Sequence, residues 1–188
     1  KWILFKKRNA AQHWVSYHAS VGNDREMNLS TTDAQTNTNS VYFNNTSPST
    51  SVITIGSEAY KNADGDTYIA YAFAEIEGYS KFGSYTGNGS RTDGTFIYLG
   101  FRPAWFIQKR INTTGDWHMH DSVRSPFNEV DDYLWANQAT AEYNGNGDGV
   151  DFLSNGIKLS YDYAGINASG GTYIYMAFGD SFKYANAR

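Results

Sequence analysis

The chain is written nearly twice, and that duplication limits what it can fold into. Trp2-Ile-Leu-Phe-Lys-Lys-Arg8 returns as Trp105-Phe-Ile-Gln-Lys-Arg-Ile111. Trp14 of His13-Trp-Val15 returns as Trp117 of Asp116-Trp-His118, and both matches sit at an offset of 103 residues. Asn62-Ala-Asp-Gly-Asp-Thr-Tyr-Ile69 returns as Asn167-Ala-Ser-Gly-Gly-Thr-Tyr-Ile174, at an offset of 105. Thr67-Tyr-Ile-Ala-Tyr-Ala-Phe73 likewise matches Thr172-Tyr-Ile-Tyr-Met-Ala-Phe178. Matches at both ends with a two-residue drift describe one unit, repeated, with loop insertions between. The division predicted is residues 1–77 and 78–188.

The second copy carries a leader, Phe82-Gly-Ser-Tyr-Thr-Gly-Asn-Gly89 followed by Thr95-Phe-Ile-Tyr-Leu-Gly-Phe101, ahead of its Trp105. The first copy starts at its equivalent tryptophan, Trp2. Its opening hairpin is therefore expected upstream in a longer polypeptide, or its strand slots are filled by another chain.

The unit reads as β. Short runs rich in Tyr, Phe, Val, Ile and Thr recur every ten residues or so between clusters of Gly, Asn, Asp and Ser. Strands are predicted at Trp2–Lys7, Trp14–His18, Ser51–Ile55, Thr67–Glu75, Phe82–Thr86, Phe96–Phe101, Trp105–Arg110, Trp117–His120, Val150–Leu153, Ile157–Tyr161 and Thr172–Phe178. Thr113–Asp116, Ser154–Gly156 and Gly87–Gly89 have the chemistry of tight hairpin turns. A short helix near Asp131–Ala141 is the one weak helical signal. Tyr68, Ala70, Ala72 and Ala74 alternate with Ile69, Tyr71, Phe73 and Glu75, so neither face of that strand is polar. It is expected to be central and covered on both sides. The fold class is all-β: tandem antiparallel β-sandwich units of jelly-roll or lectin-like type.

Composition narrows function by exclusion. The 188 residues include 5 Trp, 15 Tyr and 11 Phe, enough aromatic mass for a packed interior. Net charge is -4 and no basic block exceeds Lys6–Arg8, which argues against an electrostatic grip on nucleic acid. Without cysteine there are no disulfides, thiolate nucleophiles or thiolate-held zinc. No apolar run approaches the length needed to cross a bilayer as a helix.

Each motif with chemical potential has a plainer reading beside it. Glu75-Ile-Glu77 sets two carboxylates roughly 6.6 Å apart on one strand face, near the spacing of paired-carboxylate glycosidases. The second copy has Asp180 and Phe182 there, so the pair reads as solvated charge where a strand leaves its sheet. His118-Met-His120 places two imidazoles on one strand face, the start of a metal site. In a three-fold fibre such a pair from each chain offers six nitrogens to one iron; the plain alternative is a partly exposed strand with locally bonded histidines. Asn144–Gly149 has the Asn/Gly rhythm of a calcium loop but only one carboxylate, Asp148. Trp135, Tyr143 and Tyr163 fall where the copies diverge. Beside Asn146 and Asp148, Trp135 and Tyr143 form a candidate glycan-binding tip, because sugars stack on rings and bond to amides. Packing or an interchain contact is the competing account. No nucleophile elbow, phosphate loop or dinucleotide fingerprint occurs, and no cofactor is expected.

The strings Trp2–Arg8, Thr67–Glu75, Gly78–Gly89, Gly100–Trp105, Asp151–Ile157 and Phe182–Arg188 resemble an uncharacterised β-rich repeat domain in large virion proteins of tailed, mostly marine, bacteriophages. Those proteins are usually labelled tail-fibre or structural proteins. The resemblance runs over nearly the whole chain. It implies a non-enzymatic virion component at the particle surface, the distal part of a tail fibre or appendage that attaches to the host. It further implies contacts with other virion proteins, homo-oligomerisation (a trimer, by analogy with fibres) and a host cell-surface glycan as ligand. A capsid-decorating or head-fibre protein and a lectin-like module are the alternatives.

Overall fold

The computed structural model describes residues 1–37, 42–144 and 149–180. The fold is an all-β sandwich, 2% helical and 40% strand. Its elements are β1 (Trp2–Lys7), β2 (Val15–His18), β3 (Arg25–Asn28), β4 (Thr36–Asn37), α1 (Ala59–Asn62), β5 (Tyr68–Phe73), β6 (Ser80–Thr86) and β7 (Phe96–Tyr98). After them come β8 (Pro103–Arg110), β9 (Trp117–Asp121), β10 (Asp132–Trp135), β11 (Tyr143–Asn144), β12 (Val150–Leu153), β13 (Gly156–Leu159) and β14 (Thr172–Gly179).

The duplication is visible in the strand order. The first sheet runs β4-β3-β2-β1-β5 and the second β11-β10-β9-β8-β14-β6. Position by position these are the same sheet, except that β6 has no counterpart beside β5. Registers agree as well: Trp2 opposes His18 and Phe73, and Trp105 opposes Asp121 and Phe178.

The two sheets pack through equivalent faces. Trp2, Leu4 and Met27 from the first meet Ile107, Trp117, Ile174 and Met176 from the second in one shared core. Phe73 and Phe178, equivalent residues, touch each other at 5.9 Å between centroids. The four repeated tryptophans all belong here, with Trp2 and Trp117 buried and Trp14 and Trp105 packed at the margin. Polar bonds cross the joint: Trp117 Nε1 donates to the Asn28 carbonyl at 3.1 Å, and Lys109 Nζ donates to that of Thr32 at 3.1 Å. The connection between units is a turn after β5, closed by an Ile76–Ser80 bridge.

Each outer face has its own cover. On the second sheet, a third sheet of order β12-β13-β7 encloses Phe106, Tyr85, Tyr173, Tyr175 and Ala177 with Ile97, Phe152 and Ile157. On the first, Ile3, Phe5, Val15 and Tyr17 lie under Tyr42, Phe43 and Ile53 of a long irregular segment. Trp2–Phe5 of β1, Trp105–Ile107 of β8 and Tyr173–Phe178 of β14 are therefore apolar or aromatic on both faces, because both faces are interior.

Several expectations need correcting. Thr67–Glu75 is not a central strand. β5 ends at Phe73 and is an edge, with Ile69 37% and Tyr71 45% exposed. Ser51–Ile55 is irregular, and the segment read as a weak helix is β10. The only helix among the described residues is the single turn α1. Gly87–Gly89 does not close a hairpin. It carries the chain from β6 in the second sheet to β7 in the third. Any side chain at Gly87 would meet the Ala168 carbonyl at 2.4 Å from its Cβ, so that crossing requires glycine.

One interior lysine distinguishes the units. Lys61 is 2% exposed; its ammonium sits 3.9 Å and 3.7 Å from the ring centroids of Tyr42 and Phe43 and donates to the Tyr42 carbonyl at 2.8 Å. Burial pulls its pKa down to about 7, against smaller opposing pulls from Glu26 and Glu58. At the equivalent place the second unit has Ile166, buried in its outer core. Lys61→Ile should therefore raise stability at pH 7 by about 2 kcal/mol, since apolar replacement of a buried charge commonly stabilises by that order. The folded pKa lies below the unfolded one, so wild-type stability rises with pH between about 7 and 10.5. The advantage of the variant must shrink across that window; thermal melts at pH 7 and 10 check both statements.

Candidate functional site

The two motifs that the sequence kept apart come together. β9 places His118 and His120 on the same face as Phe106 and Gln108 of β8, Tyr133 and Trp135 of β10 and Tyr143 of β11, because directly opposed residues in antiparallel strands share a face. His118 lies 5.5 Å from the Tyr133 ring, 6.1 Å from Trp135 and 5.7 Å from Tyr163. His120 lies 5.0 Å from Tyr133. Trp135 and Tyr143 are 5.6 Å apart, tilted at 54°.

This cluster is interior. His118 is 1% and His120 0% exposed, which overturns the reading of a partly exposed strand. Neither ring makes a well-aligned hydrogen bond among the described residues. Desolvation is the dominant influence and holds the His118 pKa down at about 4 and that of His120 at about 3. For His118 the Asp116 carboxylate and then its backbone pull the other way; for His120 the neighbouring His118 adds to the lowering and the Val130 backbone opposes it. At neutral pH both rings are uncharged packing elements. Gly165 closes over the pair: a Cβ there would stand 2.7 Å from His118 Cε1.

No group of three or more His, Cys, Asp or Glu that could hold a metal ion occurs among the described residues, so the buried pair has no third ligand beside it there. Val15 and Tyr17, their equivalents in the first unit, were the available signal, since an apolar pair in one copy marks an interior position in the other.

The proposed glycan tip is half supported by geometry. Tyr143 is 38% exposed at the sheet edge and its ring is accessible. Trp135 is half-buried, with one side against His118 and Tyr133, and its Nε1 is buried without a partner among the described residues. Asn146 and Asp148, on which the Asn144–Gly149 loop reading rests, lie outside the described residues. Tyr163 belongs to the same cluster through His118.

The carboxylate pair is not on a strand, because β5 stops two residues before Glu75. Glu75 pairs with Lys1 Nζ at 3.5 Å and Lys81 Nζ at 3.8 Å. Both glutamates line a cleft of about 420 Å³ together with Ser80 and Tyr98. These two ion pairs place Glu75 at the surface joint between the units.

No curated protein and no solved structure matches this chain. One family model does, over residues 1–181, and by that match the chain belongs to the family described as a domain of unknown function, DUF7483.

Proposed function

We propose that this protein is a non-enzymatic structural component of a bacteriophage virion, the distal part of a tail fibre or surface appendage that meets the host cell. The observation that carries the reading is the use of the duplication: the repeated tryptophans and phenylalanines fuse two copies of one sheet into a stacked scaffold. Repeating a self-contained unit lengthens a particle outward with little new sequence design. The groups with chemical potential are spent on packing. The histidines lie in an interior, the lysine in an aromatic cage and Glu75 between two lysines. The resemblance of its strings to phage virion repeats points the same way.

The test is imaging of the native particle with gold-labelled antibody raised against residues 1–188. Label at the far end of a fibre or appendage is the expected result. Label scattered over the capsid would replace the fibre with a decorating role, and particles free of label would end the proposal.

A further inference from the structure

Among the described residues the outer edge of β5 is unpaired, a strand slot whose occupant chemistry the second unit displays by having the same slot filled. There, β6 pairs with β14 from Thr86–Thr172 to Ser80–Phe178. Its Tyr85 stacks on Tyr173 at 4.8 Å and 7°. Gly83 makes room for Tyr175, whose hydroxyl would stand 2.7 Å from a Cβ at that glycine. The leader then crosses to the third sheet and sends Leu99 and Phe101 into the core beside Phe106 and Ala177.

Three features of the first unit are what that leader would leave behind if removed. The first is the edge: Ala70, Tyr71 and Ala72 are exposed where their equivalents Tyr175, Met176 and Ala177 are buried. The second is a hole. Ile3 and Ala72, equivalents of Phe106 and Ala177, line an open cleft of about 620 Å³ with Tyr17, Ile53 and Ala74. It occupies the place that Leu99 and Phe101 fill in the second unit. The third is an amide. Asn167 Nδ2 donates to the Tyr161 carbonyl at 3.0 Å and to that of Ser90 at 3.0 Å, while its Oδ1 accepts from Asn88 N at 3.0 Å. The leader turn thus clamps it, and it is fully buried. Asn62 makes the equivalent inner bond, to the Gly56 carbonyl at 2.9 Å, and is exposed on its outer side.

The local frame is otherwise intact. Tyr68 donates to the Ala59 carbonyl at 2.6 Å and accepts from Ala63 N at 3.0 Å, as Tyr173 does with Ala164 at 2.7 Å and Ala168 N at 2.9 Å. The acceptor is therefore preformed, which lowers the ordering penalty for whatever docks.

We infer that β5, Asn62 and the cleft beneath them accept a strand–turn–strand segment of the leader type, donated from outside residues 1–188. It adds antiparallel to Tyr68–Phe73, turns through Asn and Gly over Asn62, and inserts an apolar pair spaced Leu-x-Phe into the cleft. Main-chain bonds supply affinity and the alternate pockets supply selectivity. The shape of the slot carries this inference, whatever the site of action of the protein.

The probe is a fluorescent synthetic peptide with the sequence of residues 79–101, added to the intact 188-residue protein. Saturable binding of one peptide per chain is expected, with slowed amide exchange at Tyr68–Phe73. Ala72→Trp, which fills the cleft from an exposed position, should weaken binding by about tenfold or more, and Asn62→Ala should weaken it less. Two variants at exposed sites guard against misfolding of either one. Absence of binding overturns the inference, as does equal binding of a scrambled peptide. Protection confined to Thr172–Gly179 also overturns it, since the peptide has then displaced β6. A protein that is already dimeric, with Tyr68–Phe73 protected before peptide is added, overturns it in favour of a second copy at that edge.

Discussion

Acidification from pH 7 towards pH 4 is expected to unfold this protein, with three buried histidines setting the steepness. His118 and His120 have folded pKa values of about 4 and 3, and His18 one of about 4, all below the ordinary 6.5 because burial strips solvent from the charged ring. His18 has a further reason. Its Nδ1 accepts from Ser20 N at 3.1 Å, so the proton sits on Nε2 and is donated to the Tyr175 carbonyl at 3.1 Å. A second proton would face the Ser20 amide head-on. That bond also ties the first sheet to β14 of the second.

The sign follows from linkage. Below pH 6.5 the unfolded histidines take up protons that the folded ones refuse, so stability is fully present above about pH 6.5 and falls as pH drops. Each histidine contributes about 1.4 kcal/mol per pH unit, and three together contribute about 4, comparable with the whole stability of a domain within two or three units. The half-buried Asp151 and the exposed Glu129, whose pKa values desolvation raises, oppose this. Near-ultraviolet circular dichroism against pH should give a cooperative loss with its midpoint between pH 6.5 and 4. His120→Leu should move that midpoint to lower pH and reduce its steepness. An unchanged acid transition in that variant would show that the buried ring does not govern it.

Asn167→Ala and Asn62→Ala should differ sharply although the two asparagines hold the same place in the repeat. Asn167 is fully buried, and its amide bonds to Tyr161, Ser90 and Asn88 tie β6, the leader turn and the loop before β14 together. At about 1 kcal/mol for each bond, with an added penalty for groups left unsatisfied, its loss should cost about 3–4 kcal/mol. Asn62 makes one such bond, to Gly56, from an exposed position. Its loss should cost about 1 kcal/mol or less. Urea melts of the two variants give the comparison directly. Equal losses would mean that the leader clamp adds nothing to the second unit.

Much of the architecture was legible because aromatic and β-branched strands announce themselves. The runs at Trp2–Lys7, Trp105–Arg110 and Thr172–Phe178 are strands near those bounds. What was missed lacked a local strand pattern. Arg25-Glu-Met-Asn28 and Asp132-Tyr-Leu-Trp135 form β3 and β10 because neighbouring strands offer them a ladder, a long-range effect that no local pattern carries. The apolar alternation of Tyr68–Phe73 misled in the opposite direction. It describes a strand made to be covered, and among the described residues nothing covers its outer side.

The surroundings of the candidate residues were illegible for a related reason. A histidine pair can be read along a chain, but its burial depends on Tyr133, Tyr163 and Gly165, which are distant in sequence. The repeat held the correction in advance, in Val15 opposite His118 and Ile166 opposite Lys61. Those comparisons mark an interior by what the sister copy puts there.

The amino-acid sequence by itself determined that this is a duplicated β unit and that its repeated tryptophans pack in its interior. Those properties are local or repeated, and so can be read along a chain. Only the tertiary structure decided that the two sheets pack on equivalent faces, that His18, His118 and His120 are buried and that an open cleft lies beside β5. Each of these depends on which surfaces far apart in the chain exclude water from one another, and that is settled only when the layers meet.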